Sequence, residues 1–147
     1  MLSEIGNISI IISTIISFLL IFFSIKEIQV SNAQASKKIK NFSLLQLLFT
    51  NLSFLILLLG FIISDFSIAN VYENSHTTKP LLYKVSGVWG SHEGSLLLWV
   101  NILVLFSFLF FIKNSKANKK FQLLTLIFQN FLILGFFLFI FSTSNPF

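Results

Sequence analysis

The chain has 147 residues, of which 55% are hydrophobic, 16% aromatic and only 10% charged. Soluble domains carry about 25% charged residues, and no water-facing surface of this size can hide twenty phenylalanines, so soluble enzymes, nucleic-acid-binding domains and disordered segments are excluded together. The absence of cysteine excludes disulfides, thiolate metal sites and a cysteine nucleophile, and the net charge of +5 comes from ten lysines, no arginine and five acids.

Four stretches are free of charge: Ile5 to Ile25, Asn41 to Ser64, Gly94 to Ile112 and Phe121 to Phe147. A helix needs about 20 apolar residues to cross a bilayer core. The first stretch has 21 residues and reaches roughly 32 Å at the helical rise. None of the four alternates with period two, which argues against a β-barrel. The expected fold is all-α and polytopic, with four transmembrane helices over about 5–25, 42–64, 94–112 and 121–141. A cleaved signal peptide is a poor alternative for the first span. Ala33-Gln34-Ala35 has the spacing of a cleavage site, but no basic residue precedes the apolar run, and Lys26-Glu27 interrupts before the alanines.

The connectors set the expected topology. The first, Lys26 to Lys40, carries Lys26, Lys37, Lys38 and Lys40 against Glu27. The third carries Lys113, Lys116, Lys119 and Lys120 with no acid. The outer loop, 65–93, holds only Lys79 and Lys84 against Asp65, Glu73 and Glu93. Eight lysines against two place the first and third connectors in the cytoplasm, or the matrix of an organelle. Both termini and the long loop then face the opposite side.

Within that loop Asp65 to Lys79 is polar and His76 reads as solvated. Pro80 suits a helix start, and Leu81, Leu82, Val85, Val88 and Trp89 follow helical spacing. This predicts a short outer interfacial helix with Lys84 snorkelling toward water. Tyr83, Trp89 and Trp99 are placed as an aromatic belt would be. Next, Gly87, Gly90 and Gly94 permit tight turning or close backbone approach, and His92 and Glu93 stand at the mouth of the third span. With a helix starting near Gly90, Glu93 falls in its first turn, where the dipole favours a carboxylate. His92 is expected to be able to ligate or hydrogen-bond. Trp89, His92, Leu96 and Trp99 would share one helical face. The His92–Glu93 pair reads two ways: as a hydrogen-bonded structural pair, or as part of a ligand site.

The segment Trp89-Gly-Ser-His-Glu-Gly-Ser-Leu-Leu-Leu-Trp99 resembles the WG-x-HEGS-LLLW signature of the CcmF proteins of cytochrome c-type biogenesis, within the CcmF/CcmC/CcsA haem-handling family. The opening Met1-Leu-Ser-Glu-Ile-Gly6, the region of Asp65, Phe66 and Ala69, and the closing Thr143-Ser-Asn-Pro-Phe147 are similar to that family as well. The resemblance covers the whole chain but only about the first quarter of a family member, which suggests an N-terminal fragment or the product of a split gene.

The resemblance implies a protein of the bacterial inner membrane, or of the mitochondrial inner membrane if organelle-encoded. It implies haem taken from the chaperone CcmE on the outer face and joined, with CcmH, to apocytochrome c. The family's haem-binding histidine pairs and tryptophan-rich outer segment are not among these 147 residues, whose histidines are His76 and His92 and whose tryptophans are Trp89 and Trp99. Haem-lyase activity is therefore expected only with the remaining CcmF portion. The resemblance makes Trp89, Gly90, His92, Glu93, Gly94 and Trp99 the candidate haem-handling motif. Axial ligation by His92 is not expected, and Glu93 is expected to orient His92 or cap the helix. Two rivals remain: a structural assembly subunit that binds no haem, and a small subunit of a respiratory complex. The second lacks ionisable groups at depth, having only amides such as Gln46, Asn51, Asn101, Gln129 and Asn130. No catalytic residue, protein metal site or nucleic-acid partner is expected; the bilayer is.

Overall fold

The computed structural model describes residues 1–30, 33–113 and 118–147, without the side chains of residues 30 and 33–36. Lys116, counted above among the inner lysines, lies outside the described residues. Every element among them is helical: α1 (Leu2–Val30), α2 (Ala33–Ile63), α3 (Ala69–Asn74), α4 (Leu81–Gly90), α5 (His92–Lys113) and α6 (Lys119–Thr143). The chain has two prolines. Pro80 immediately precedes α4, and Pro146 follows α6. Nothing therefore interrupts the four long helices, each of which is long and apolar enough to cross a membrane.

The helices extend beyond the charge-free stretches. Lys26 and Glu27 belong to α1, and Lys37, Lys38 and Lys40 to the first turns of α2. α1 packs on α2 and α6, while α5 packs on the same two, so the four long helices form a closed ring with α4 laid against α2 and α5. One core cluster lies toward the end that carries α3 and α4. It joins Leu57 and Phe61 of α2 to Ile68, Val71, Val88, Leu97 and Phe137. A second, toward the lysine-bearing end, gathers Ile16, Leu20, Ile39, Phe111, Leu123 and Leu126.

Between the two clusters lies a buried polar layer. The Ser13 and Thr50 hydroxyls are 2.7 Å apart. Gln46 Nε2 donates to Ser17 Oγ at 2.6 Å and to Asn130 Oδ1 at 3.0 Å. Three helices, α1, α2 and α6, are thus cross-linked where no water is at hand to compete. The opposite pattern holds outside the ring, where Phe18, Leu48, Phe106, Phe128 and Phe131 are exposed. An apolar girdle of that extent belongs in lipid.

Each end is then fastened. Toward the lysines, Glu27 is 2% exposed and forms an ion pair with Lys119, joining α1 to α6, and Gln122 Nε2 donates to the Phe111 carbonyl across the α5–α6 connection. At the other end Ser64 takes a left-handed conformation, φ 58°, with Asp65 N–H donating to Gly60 O at 2.9 Å and Ser64 N–H to Phe61 O at 3.3 Å. This pair of bonds closes α2 as a Schellman cap. Beyond α6 the chain folds back over the start of α1: the Phe147 ring lies on Gly6, and Ser3 Oγ donates to Phe147 O at 3.2 Å.

Candidate functional site

The segment from Trp89 to Trp99 does not form one continuous helix. α4 ends at Gly90, Ser91 is extended at φ −85° and ψ 154°, and α5 begins at His92. Ser91 supplies the physical reason. Its Oγ accepts from the Gly94 N–H at 3.1 Å, the bond of a serine N-cap, and donates back to Val88 O of α4 at 3.2 Å. Trp89 is therefore on α4 and does not share a face with His92, Leu96 and Trp99, as a helix beginning near Gly90 would require. What remains on one face of α5 is His92, Leu96 and Trp99, at i, i+4 and i+7.

The two neighbouring glycines differ sharply. A Cβ at Gly94 would overlap the Val88 carbonyl and crowd Ser91 Oγ, so this glycine lets α5 start directly beneath the end of α4. A Cβ at Gly90 would meet nothing within 4 Å. Gly90 is exposed, and neither a turn nor a close contact in the fold requires it. Gly87 is intermediate, facing the edge of the Phe61 ring at 3.2 Å.

Glu93 and His92 do not pair with each other; each turns to a different partner. Glu93 Oε2 accepts from Asn70 Nδ2 of α3 at 3.4 Å, and the same amide donates to Ser91 Oγ at 3.0 Å. Asn70, buried at 2% exposure, thus ties α3 to the cap of α5. Glu93 sits in the first turn of α5, where the dipole suits its charge, but it orients Asn70 and not His92. His92 is exposed. Its Nδ1 lies 3.2 Å from Ser144 Oγ beyond α6, and its ring meets the Phe139 ring edge-on at 6.3 Å. Engaging one nitrogen fixes the ring plane and leaves Nε2 directed elsewhere. Among the described residues Nε2 has no hydrogen-bond partner.

The aromatic residues stand around this head. Trp89 is 46% exposed and Trp99 62%, with Tyr72, Tyr83, Leu81 and Leu82 also exposed on α3 and α4. Lys84 does not simply reach toward water. It is half-buried, and its Nζ donates to Ser64 Oγ at 2.7 Å, which binds α4 to the cap of α2. Lys79 Nζ donates to Asn74 O at 2.8 Å at the end of α3, and His76 is exposed. In the α2–α3 turn, the Ser67 hydroxyl and backbone N–H hold the Asp65 carboxyl below its ordinary value.

Sequence reading missed Asn70, Ser91 and Ser144. Ser91 carried a signal, a serine just ahead of an acid and a long apolar run. Asn70 and Ser144 lie 21 and 52 residues from their partners, a separation that local patterns do not reach.

No protein-family model matches the chain. It is 51% identical over 105 residues to the cytochrome c-type biogenesis protein CycK of Bradyrhizobium diazoefficiens, covering 71% of this chain and 16% of that protein. It is 33% identical over 147 residues to the cytochrome c-type biogenesis protein CcmF of Haemophilus influenzae, covering 100% of this chain and 23% of that protein, and CcmF of Escherichia coli matches with the same figures. The solved structure of the cytochrome c heme lyase CcmF shares the fold, with a TM-score of 0.90 over 100% of this chain and 25% of the other, at 22% identity. On these matches, over the whole chain for CcmF and 71% of it for CycK, the chain belongs to the CcmF and CycK family of cytochrome c-type biogenesis proteins, of whose length it spans less than a quarter.

Proposed function

We propose that this chain serves c-type cytochrome maturation as the outer head of a haem-handling membrane assembly. In this reading it lies in the bacterial inner membrane, or the mitochondrial inner membrane, with both termini and α3–α4 on the periplasmic or intermembrane-space side. Haem is its cargo, passed from the chaperone CcmE toward apocytochrome c with CcmH, and the thioether chemistry belongs to the remaining CcmF portion. The family membership and the distribution of lysines support this.

The observation that carries the reading is His92. It is exposed at the head of α5, its Nδ1 is held by Ser144, and its Nε2 is available. Trp99, two turns along the same face of α5, and Trp89 on α4 offer exposed flat apolar surface, the kind of contact a porphyrin face takes. An exposed imidazole with one nitrogen held, on a head that also exposes indole surface, suits passing contact with haem. Gly94 and Glu93 serve the fold, the first by close approach and the second through Asn70. Gly90 is exposed with open space around it, and in this reading it is taken as a surface contact for a partner.

The test uses the full-length family protein carrying this chain, scored for mature c-type cytochrome by covalently bound haem. His92→Ala should reduce maturation at normal protein level, and Ser144→Ala should reduce it less, because the ring persists but loses its fixed plane. Gly90→Leu should also reduce it without loss of protein. Unchanged maturation in all three variants would refute the proposal.

A further inference from the structure

Two lysines at the lysine-bearing end of the bundle are held over aromatic rings. Lys26, four positions beyond Phe22 on α1, places its Nζ 4.5 Å from the centre of that ring. Lys38 reaches across from α2 to the next ring, its Nζ 5.9 Å from the centre of Phe23. The rings are themselves fixed. Phe22 and Phe23 meet edge-on at 5.6 Å, and Phe23 stacks on Phe42 of α2 at 5.4 Å and 12°. Phe23 and Phe42 also pack against the second core cluster. The core thus supports an aromatic platform across α1 and α2, and ammonium groups from both helices converge on it. Both lysines remain exposed. The ring quadrupoles attract the ammonium groups, which keeps these side chains folded back on the helices instead of extended into water.

No carboxylate on this face cancels the pair. Of the five acids, Glu4, Asp65, Glu73 and Glu93 lie toward the opposite end of the bundle. Glu27 follows Lys26 in sequence, but it is 2% exposed and pairs inward with Lys119 of α6. Beside the pair, α1 presents an apolar row to lipid. Ile15, Phe18, Phe22 and Ile25 stand at i, i+3, i+7 and i+10 and are each 43–57% exposed. The row from Ile25 to Ile15 is about 15 Å long at the helical rise, and one leaflet's share of the hydrocarbon core is about the same.

A positive pair fixed at the membrane boundary, above an apolar row one leaflet long, matches a molecule that is anionic at one end and apolar below it. We propose that the α1–α2 face binds an anionic phospholipid of the leaflet at the lysine-bearing end. Its phosphate lies between Lys26 and Lys38, and an acyl chain runs along Phe22, Phe18 and Ile15. Basic clusters beside membrane helices attract anionic headgroups in general; here the attraction is concentrated on two ammonium groups that the platform has already placed, which lowers the ordering cost of binding. A zwitterionic headgroup brings its own cation, which the two lysines repel. The site is independent of the reading given to His92 and of which compartment the lysines face.

The test places the full-length family protein carrying this chain in phosphatidylcholine vesicles with a minor share of phosphatidylglycerol. The phosphatidylglycerol bears a photoactivatable group on its acyl chain, and crosslinked peptides are read by mass spectrometry. A parallel sample carries the same group on phosphatidylcholine. The expected result is a phosphatidylglycerol crosslink within residues 15–25, about thirtyfold above that of phosphatidylcholine. Lys26→Gln and Lys38→Gln should each lower it about fivefold, and together about thirtyfold. Phe22→Leu keeps every charge but removes the ring beneath Lys26, and should lower it about twofold. Lys40→Gln removes the same charge two positions from Lys38 but about 200° round α2, and should leave the yield unchanged. All four substitutions fall at exposed positions, and helix content should be the same in each. Equal crosslinking by the two lipids, or none within residues 15–25, would overturn the proposal. An equal loss with Lys40→Gln would overturn it in favour of general surface charge. Loss of the crosslink to added inorganic phosphate, at an ionic strength where chloride has no effect, would overturn it in favour of a soluble anion.

Discussion

At the scale of single residues, the head of α5 separates side chains that hold the fold from side chains that face outward. Gly94 and Gly90 are four positions apart, yet only Gly94 is enclosed. Gly94→Ala should destabilise the protein by about 1–3 kcal/mol, the usual cost of overpacking a closed contact. Gly90→Ala should stay within about 0.5 kcal/mol of the parent, as surface substitutions do. Thermal unfolding in detergent micelles measures both, and equal losses would mean that α4 and α5 are not joined as described. This contrast was not legible beforehand. Spacing alone presents Gly87, Gly90 and Gly94 as equivalent breaks, and only the position of the Val88 carbonyl distinguishes them. His92 was legible as a residue to watch, but its partner was not, because Ser144 reaches it through the packing of α6 beside α5.

At the scale of helices, hydropathy reveals which segments span, since four apolar runs must each find lipid or protein. It does not reveal which helix touches which. Apolar residues surround each span almost uniformly, so pattern cannot orient the core face, and the polar residues carry that information instead. Ser13, Ser17, Gln46, Thr50 and Asn130 lie on the inward faces of α1, α2 and α6 and meet in one layer. Asn130→Leu should destabilise the bundle by about 1–2 kcal/mol, within the range for interhelical hydrogen bonds and stranded partners. It leaves Gln46 Nε2 with Ser17 alone. Adding Gln46→Leu should recover part of that loss, because replacing both partners removes the stranded group. The coupling is read from unfolding of the two single variants and the double variant in mixed micelles. A double variant with simply additive loss would show that Gln46 and Asn130 act separately. The short α3 was not anticipated, because six residues in a polar loop carry too little periodicity. It is fixed from outside by Asn70 reaching Ser91 and Glu93.

At the scale of the whole molecule, the ring of four helices has two chemically different ends, and the proposed orientation rests on that difference. One end collects Lys26, Lys37, Lys38, Lys40, Lys113, Lys119 and Lys120 around the Glu27–Lys119 ion pair. The other carries α3, α4, both termini and the exposed His92. Lysines flanking spans are retained on the cytoplasmic or matrix side, so the proposed orientation puts α3 and α4 on the opposite face, where c-type cytochromes would be met in the proposed function. Lysine reagents are poor reporters of this arrangement, because Lys84 is bonded to Ser64 and Lys119 to Glu27. The chain's lack of cysteine offers a cleaner probe. Thr77→Cys and Lys40→Cys both fall at exposed positions at opposite ends of the bundle. A membrane-impermeant maleimide applied to intact cells with a permeable outer membrane should label Thr77→Cys. It should leave Lys40→Cys unlabelled until the inner membrane is opened. Reversed labelling would invert the topology and place His92 on the face where apocytochrome and haem chaperone are not expected, removing the haem-handling proposal together with the orientation.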